Sequence, residues 1–411
     1  MNSFDVNSII EQMLLSAEHI SDLNFSVGQR PQIEVNGSLT QISPLGVGKL
    51  TAFQTEMIAM SLMKGNPTAA AHLAKFGTAD LSYALPQRGR FRVNIFSQRN
   101  TYSIVMRLIP SNIPTFDELN LPPQLADAAN LRNGLVLLTG PTGSGKSSTL
   151  AAIIDRINET KQYHVVTIED PIEFLHSHKK STINQREVGV DTRDFASALR
   201  AALRQAPKVI LVGEMRDLET TEIALEAAET GHLVLSTLHT IDAAKTVDRI
   251  IGLYPKNEEK VIRLRLAQTF RYIVSQRLIP RADGRGRVAA VEILRSNPRT
   301  RDYIEKGEEQ GKSLLDAMRD GRIDGMQDFD FVIREMIEKK IISLDDGLSF
   351  ATNQNNLLLH LKGLSSTEDF VRSNNGANGN NGNGGNPAVQ PALSAASSAS
   401  PNGNSILNMI E

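Results

Sequence analysis

The segment Gly140-Pro141-Thr142-Gly143-Ser144-Gly145-Lys146-Ser147 places glycines, one lysine and one hydroxyl at the spacing G-x-x-x-x-G-K-[ST]. Residues of those types at that spacing bind phosphate. Small residues let backbone N–H groups converge on an anion, the lysine reaches the β- and γ-phosphates, and the serine hydroxyl holds Mg²⁺. The flanks fit this chemistry. Leu135 to Leu138 reads as a short buried strand, and Leu150, Ile153, Ile154 and Ile157 follow the i, i+3, i+4, i+7 rhythm of a helix starting at the lysine. The N-terminus of that helix adds its own dipole to the cradle. Gly140 through Ser148 are therefore assigned to a nucleoside triphosphate.

Hydrolysis also needs an oriented water and positive charge near the γ-phosphate. In a parallel sheet the carboxylates for this lie just past the strand ends. Val165-Val-Thr-Ile168 runs into Glu169, Asp170 and Glu173, and Val209-Ile-Leu-Val212 runs into Gly213-Glu214-Met-Arg216-Asp217. The second has the form of a Walker B strand with glutamate in place of aspartate. Glu169 and Glu214 are read as functional. Glu173 and Asp217 read equally as functional carboxylates or as helix caps and surface ion pairs. A fourth strand, Leu233 to Leu238, lies between His232 and His239, and the position of His239 at the strand end marks it out. His176 and His178 read as part of a solvated loop rather than a metal site.

Positioning these groups requires more than one domain, because 411 residues exceed an ordinary single core. Residues 1–110 read as a small α+β domain. Val6, Ile9, Ile10, Met13 and Leu14 have helical spacing, Asn36-Gly37 signals a hairpin, and Phe91-x-Val93-x-Ile95 and Ile104-x-Met106-x-Leu108 alternate as strands. Arg88, Arg90 and Arg92 cluster there. Residues 111–133 hold prolines and few periodic apolar positions, as a linker would. Residues 134–290 alternate strand and helix, the pattern of an α/β core, and 291–372 read as helical. Residues 373–411 are rich in Asn, Gly, Ser and Ala, with no charge from Ser373 to Ile410, a composition expected to stay disordered.

Composition narrows the function classes. A net charge of −2 leaves no electrostatic footprint for nucleic acid, and the absence of cysteine excludes disulfides and thiolate metal sites. No apolar run is long enough for a membrane span, and the N-terminus lacks the layout of a secretory signal, so a cytoplasmic location is expected. No Asn-Lys-x-Asp guanine motif occurs.

Taken in order, the P-loop, Thr167-Ile-Glu-Asp-Pro-Ile-Glu173, Gly213-Glu-Met-Arg-Asp217 and Gly231 to Thr240 resemble the boxes of the type II/IV secretion ATPases. The resemblance is strongest to the type IV pilus retraction ATPases, the PilT/PilU family. Gly89-Arg-Phe-Arg-Val-Asn94, Ser275-Gln-Arg-Leu278 and Gly325-Met-Gln-Asp-Phe329 extend it. It implies a PAS-like N-terminal domain, a RecA-like ATPase domain with a C-terminal helical region, and a homohexamer that hydrolyses ATP with Mg²⁺. It further implies an inner-membrane pilus platform protein as partner and a place on the cytoplasmic face of the pilus machine. A RecA-like nucleic-acid motor is the less favoured alternative. The near-neutral charge and lack of a basic-aromatic groove count against it, so no nucleic acid partner is expected.

Carried over by box, Glu214 supports the Mg²⁺ bound by Ser147, Glu169 polarises the attacking water, and His232 and His239 complete the site. Arg90, Arg92 and Arg107 are the candidates to reach the γ-phosphate, while Arg88 belongs to a solvated loop. The lack of cysteine argues against the zinc-bearing assembly branch. Asn297 to Gly307 departs from the Ala-Ile-Arg-Asn-Leu element of many retraction motors. That departure keeps open a PilU-like accessory role beside a paralogous pilus ATPase.

Overall fold

The computed structural model describes residues 5–362 apart from residues 36, 87, 111, 310 and 311. Two sheets organise them. The first contains β1 (Ile20–Phe25), β2 (Gln32–Val35), β3 (Ser38–Gln41), β4 (Thr78–Leu85), β5 (Gly89–Gln98) and β6 (Thr101–Ile109), in the order β3-β2-β1-β6-β5-β4. All neighbours are antiparallel. Alternation explains the fold: Phe91, Val93 and Ile95 of β5 pack with Ile104 and Met106 of β6 on one face. Helices Val6–Leu14, Ala52–Leu62 and Pro67–Phe76 add Ile9, Ile10, Met13, Ile58 and Leu73 to that core. Asp5 caps the first helix, its carboxylate accepting from the amides of Asn7 and Ser8. Gly37 has φ +77° between β2 and β3, as the Asn-Gly signal requires of its glycine; Asn36 lies outside the described residues.

The second sheet contains β7 (Gly134–Thr139), β8 (His164–Glu169), β9 (Thr182–Glu187), β10 (Val209–Val212), β11 (Leu233–Leu238), β12 (Phe270–Pro280) and β13 (Arg287–Arg295), ordered β13-β12-β7-β11-β10-β8-β9. Its pairs are parallel except β12 with β13. Every residue of β7, β10 and β11 is buried, because apolar cores cover both faces, which is why these strands read as continuous apolar runs. This is the α/β, RecA-like arrangement.

Three features depart from the sequence-based expectation. The β12–β13 hairpin extends the sheet antiparallel, so residues 291–295 belong to it and not to the helical region. The second half of the proline-rich stretch is packed, with Leu121, Leu125, Ala128 and Ala129 buried against Ile153, Ile154 and Ile157. The two sheets also lie in one compact unit, joined where Arg90 and Ser82 meet Glu187 at the end of β9. Beyond β13, helix Phe329–Glu338 buries Phe329 and Ile333 against Ile279, Val288 and Ala290 of the hairpin. The tail 373–411 lies outside the described residues. Among the described residues, no helix is long and apolar enough to cross a membrane.

Candidate active site

The P-loop turns directly out of β7 against the neighbouring strand. A Cβ on Gly140 would sit 2.4 Å from the Gln276 carbonyl oxygen, and its φ of +139° is open to glycine alone. Gly145, φ +91°, caps helix Lys146–Thr160 without a side chain, leaving its amides free for an anion. Lys146 Nζ donates to the carbonyls of Gly140 and Pro141 at 2.8 and 2.9 Å, which holds the ammonium over the loop. Burial lowers its pKa, opposed by Glu173 and Glu214.

The cleft above the loop has a volume of about 640 Å³. It brings together Thr142, Gly143, Gly145 to Ser148, Glu169, Glu173, Glu214 and His239, with Arg92 from the N-terminal sheet. Glu214 and His239 meet because β10 and β11 are stapled at their ends. Ser236 Oγ donates to the Val212 carbonyl and Thr237 Oγ1 to the Gly213 carbonyl, each at 2.7 Å. The Glu214 carboxylate then lies 3.5 Å from His239 Nε2 and 2.5 Å from Arg216 Nε.

Past β8, the two glutamates stand in different environments. Glu169 Oε1 accepts from Thr167 Oγ1 at 2.6 Å and Gln185 Nε2 at 3.1 Å, and Oε2 accepts from the Glu173 amide at 3.3 Å. Burial raises its pKa, opposed by those hydrogen bonds. Glu173 is exposed to the cleft. Glu169 thus braces the loop that presents Glu173. Asp217 takes the capping alternative: it accepts from the Thr220 amide at 2.8 Å at the start of helix Leu218–Glu229.

Four sequence-based placements are changed. His232 precedes β11, at the sheet edge opposite the P-loop, and its Nδ1 lies 2.9 Å from the Ala227 carbonyl. Six strand residues separate it from the site end, about 20 Å. Arg90 pairs with Glu187 at 3.1 Å, and Arg107 with Asp22 at 2.9 Å, so neither lines the cleft of its own chain. His176 is not in solvent: it is half-buried in the cleft, and burial pushes its pKa down to about 4, which keeps the ring neutral. His178 instead accepts from the Ile183 amide at 3.2 Å through Nδ1, so the two histidines form no pair. Arg88 does sit on the surface, paired with Glu11. The motifs passed over Arg287, which enters the cleft from the start of β13; no phosphate-site spacing marks it.

The donors fit a hard divalent ion. Ser147 offers a hydroxyl and Glu214 a carboxylate, both oxygen ligands of the kind Mg²⁺ takes. Among the described residues, no cluster of three or more His, Cys, Asp or Glu could hold a metal alone. Mg²⁺ typically relies on one or two carboxylates and on substrate phosphates, so such a sparse set suits it.

Known proteins resemble this chain over most of its length. A family model described as type II/IV secretion system protein matches residues 35–341. Over 339 residues the chain is 43 % identical to the type IV pilus retraction ATPase PilT of Pseudomonas aeruginosa, covering 82 % of this chain and 96 % of that protein. The type IV pilus ATPase PilU of the same organism is 38 % identical over 354 residues, covering 86 % and 91 %. A crystal structure of the pilus retraction motor PilT with bound ADP matches with a TM-score of 0.75 at 39 % identity, covering 85 % of this chain and 98 % of that one. This chain belongs to the type II/IV secretion system protein family, among its PilT/PilU-type retraction ATPases.

Proposed function

We propose that this chain is a Mg²⁺-dependent ATP-hydrolysing motor that powers pilus retraction, working as a homohexamer against an inner-membrane platform protein on the cytoplasmic face. The observation that carries the reading is the cleft itself, in which P-loop, carboxylates, histidine and a guanidinium from a second sheet converge. Lys146 and the loop amides bind the phosphates, with Ser147 and Glu214 toward the metal. When bound, Mg²⁺ neutralises charge developing on the β- and γ-oxygens. Glu173, rather than Glu169, orients the attacking water, because both oxygens of Glu169 are engaged in holding the loop. His239 touches Glu214 and links β11 to the site. Arg92 brings positive charge toward the γ-phosphate from the N-terminal sheet, so movement of the part up to residue 110 against the part from residue 134 would follow hydrolysis.

Deletion of the gene tests the reading directly. Hyperpiliated cells that cannot retract are the expected outcome. Cells without pili would overturn it, and normal retraction lost only under load would favour the accessory, PilU-like role. The changed stretch Asn297 to Gly307 supports that second reading.

A further inference from the structure

Glu292 lies on β13 with 3 % of its surface exposed, in the middle of the protein, and no motif includes it. Three strands place it. Thr139, the last residue of β7 before Gly140, stands opposite Ser275 of β12, and Ser275 stands opposite Glu292. Directly opposed residues share a face of the sheet, so the three side chains form one row. Thr139 Oγ1 donates to Ser275 Oγ at 3.0 Å, and the Ser275 side chain stands beside the Glu292 carboxyl across the β12–β13 pair, favouring its charged form. All three residues are buried.

The row ends on a helix of the site. Glu292 Oε1 accepts from the Ala243 amide at 2.8 Å, the first residue of helix Ala243–Ile251, four positions after His239. One carboxyl therefore connects the strand that delivers the phosphate loop to the turn that delivers His239. An apolar side chain would fill the same space without desolvating a carboxyl, whose burial carries a cost. The amide of Ala243 would then lose its acceptor.

We propose that Glu292 is a positioning residue for hydrolysis, which sets the separation between the phosphate loop and the His239 turn through Ser275 and Thr139 on one side and the Ala243 amide on the other. The loop's own grip on phosphate does not depend on this span. The placement of His239 and Glu214 around the γ-phosphate does.

Burial pushes the Glu292 pKa up to about 8, opposed by the Ala243 amide. Of the charged groups that face it, Asp242 at the cap of the same helix adds to the rise and Arg277 of β12 counters it. Arg277 faces Asp330 of helix Phe329–Glu338 as well, and its guanidinium lies 3.7 Å over the Phe329 ring. At neutral pH the carboxyl is mostly protonated. Glutamine is then its close mimic.

The test is steady-state ATP hydrolysis by the full chain, with kcat and KM resolved and folding followed by thermal melting. Glu292→Leu should lower kcat by about tenfold or more, the scale expected of a displacement near the reacting centre, with KM for ATP within about threefold. Glu292→Gln should restore kcat to within about threefold of wild type. If Glu292→Leu does not fold, Ser275→Ala cuts the link to Thr139 alone and should lower kcat by about threefold or more without a large change in melting. A second readout does not depend on turnover. The folded state keeps its proton to about pH 8 while the unfolded chain releases it near the ordinary glutamate value, so wild type should lose stability as pH rises through that window, and Glu292→Gln should lose less.

The inference rests on the hydrolysis reading. No turnover by the wild type would sink that reading, whereas active wild type with equally active Leu and Ala variants overturns this inference alone. So would a Gln variant as impaired as the Leu variant, or a loss carried by KM.

Discussion

Where the ATPase sheet sends Lys146, Glu173, Glu214 and His239 into the cleft from loops past β7, β8, β10 and β11, the N-terminal sheet sends Arg92 from the face of β5. The two routes differ in how tightly sequence constrains them. Parallel strands all end on the same edge, so a polar residue just past an apolar run lands in the site whatever the details of packing. A residue on a strand face reaches its target only if register and sheet placement are right, and a one-residue slip would turn it away. Arg92 and Arg107 show the consequence. They are directly opposed across β5 and β6, yet Arg92 lines the cleft while Arg107 is held by Asp22 with 70 % of its side chain exposed.

The comparison breaks most severely at Lys146. Lys146→Ala should lower phosphate release by about a thousandfold or more, because preorganised charge supplies much of the catalysis in such sites. Phosphate release within a few-fold of wild type would mean that the loop past β7 is not the catalytic cradle.

Next come the glutamates past β8. Glu173→Gln should lower kcat by about 10²–10⁴ while ATP binding persists, as expected for a group that acts in the transition state. Glu169→Gln keeps acceptor and shape for Thr167 and should stay within about tenfold. Measured kcat falling equally far in both, with melting unchanged, would give the chemical role back to Glu169.

These carboxylates also mark how far sequence reached. The four parallel strands at the centre were legible within a residue or so, since each is a run buried on both faces and bounded by turns. The β12–β13 hairpin was not, because Phe270 to Pro280 follows a helix with no separating turn and interleaves Arg271, Ser275, Gln276 and Arg277 among its apolar residues. That Glu169 braces and Glu173 projects could not be read either. The distinction depends on Gln185, which only the pairing of β8 with β9 brings alongside. His176 failed for a similar reason: nothing local shows that its loop folds back over the cleft.

The arginines give a smaller and sharper test. Arg92→Ala should lower kcat by at least about tenfold, whereas Arg107→Ala measured in the same assay should change it by less than about twofold. Equal losses would show that a ring neighbour presents Arg107 to the site, because within its own chain that side chain turns to Asp22. Mixing Lys146→Ala with Arg107→Ala subunits would then restore some turnover, and would not if the arginine acts only within its chain.

The smallest effect separates capping from catalysis. Asp217 lies three residues past Glu214 and belongs to the same acidic box, but its side chain accepts from the Thr220 amide at 2.8 Å and from Thr220 Oγ1 at 3.0 Å. That geometry satisfies one of the orphan donors at the start of helix Leu218–Glu229, and the negative charge also suits the helix dipole there. Asp217→Ala should therefore cost about 0.5–2 kcal/mol of stability, and Asp217→Asn, which keeps an acceptor oxygen, should cost less. In a chain of this length the melting shift is about 1–4 °C, with kcat at 25 °C unchanged. A tenfold loss of kcat in the Asn variant at unaltered melting temperature would show instead that the Asp217 charge acts on the nucleotide. Two carboxylates of the box past β10 would then serve the site, and the helix would have to be capped by other means.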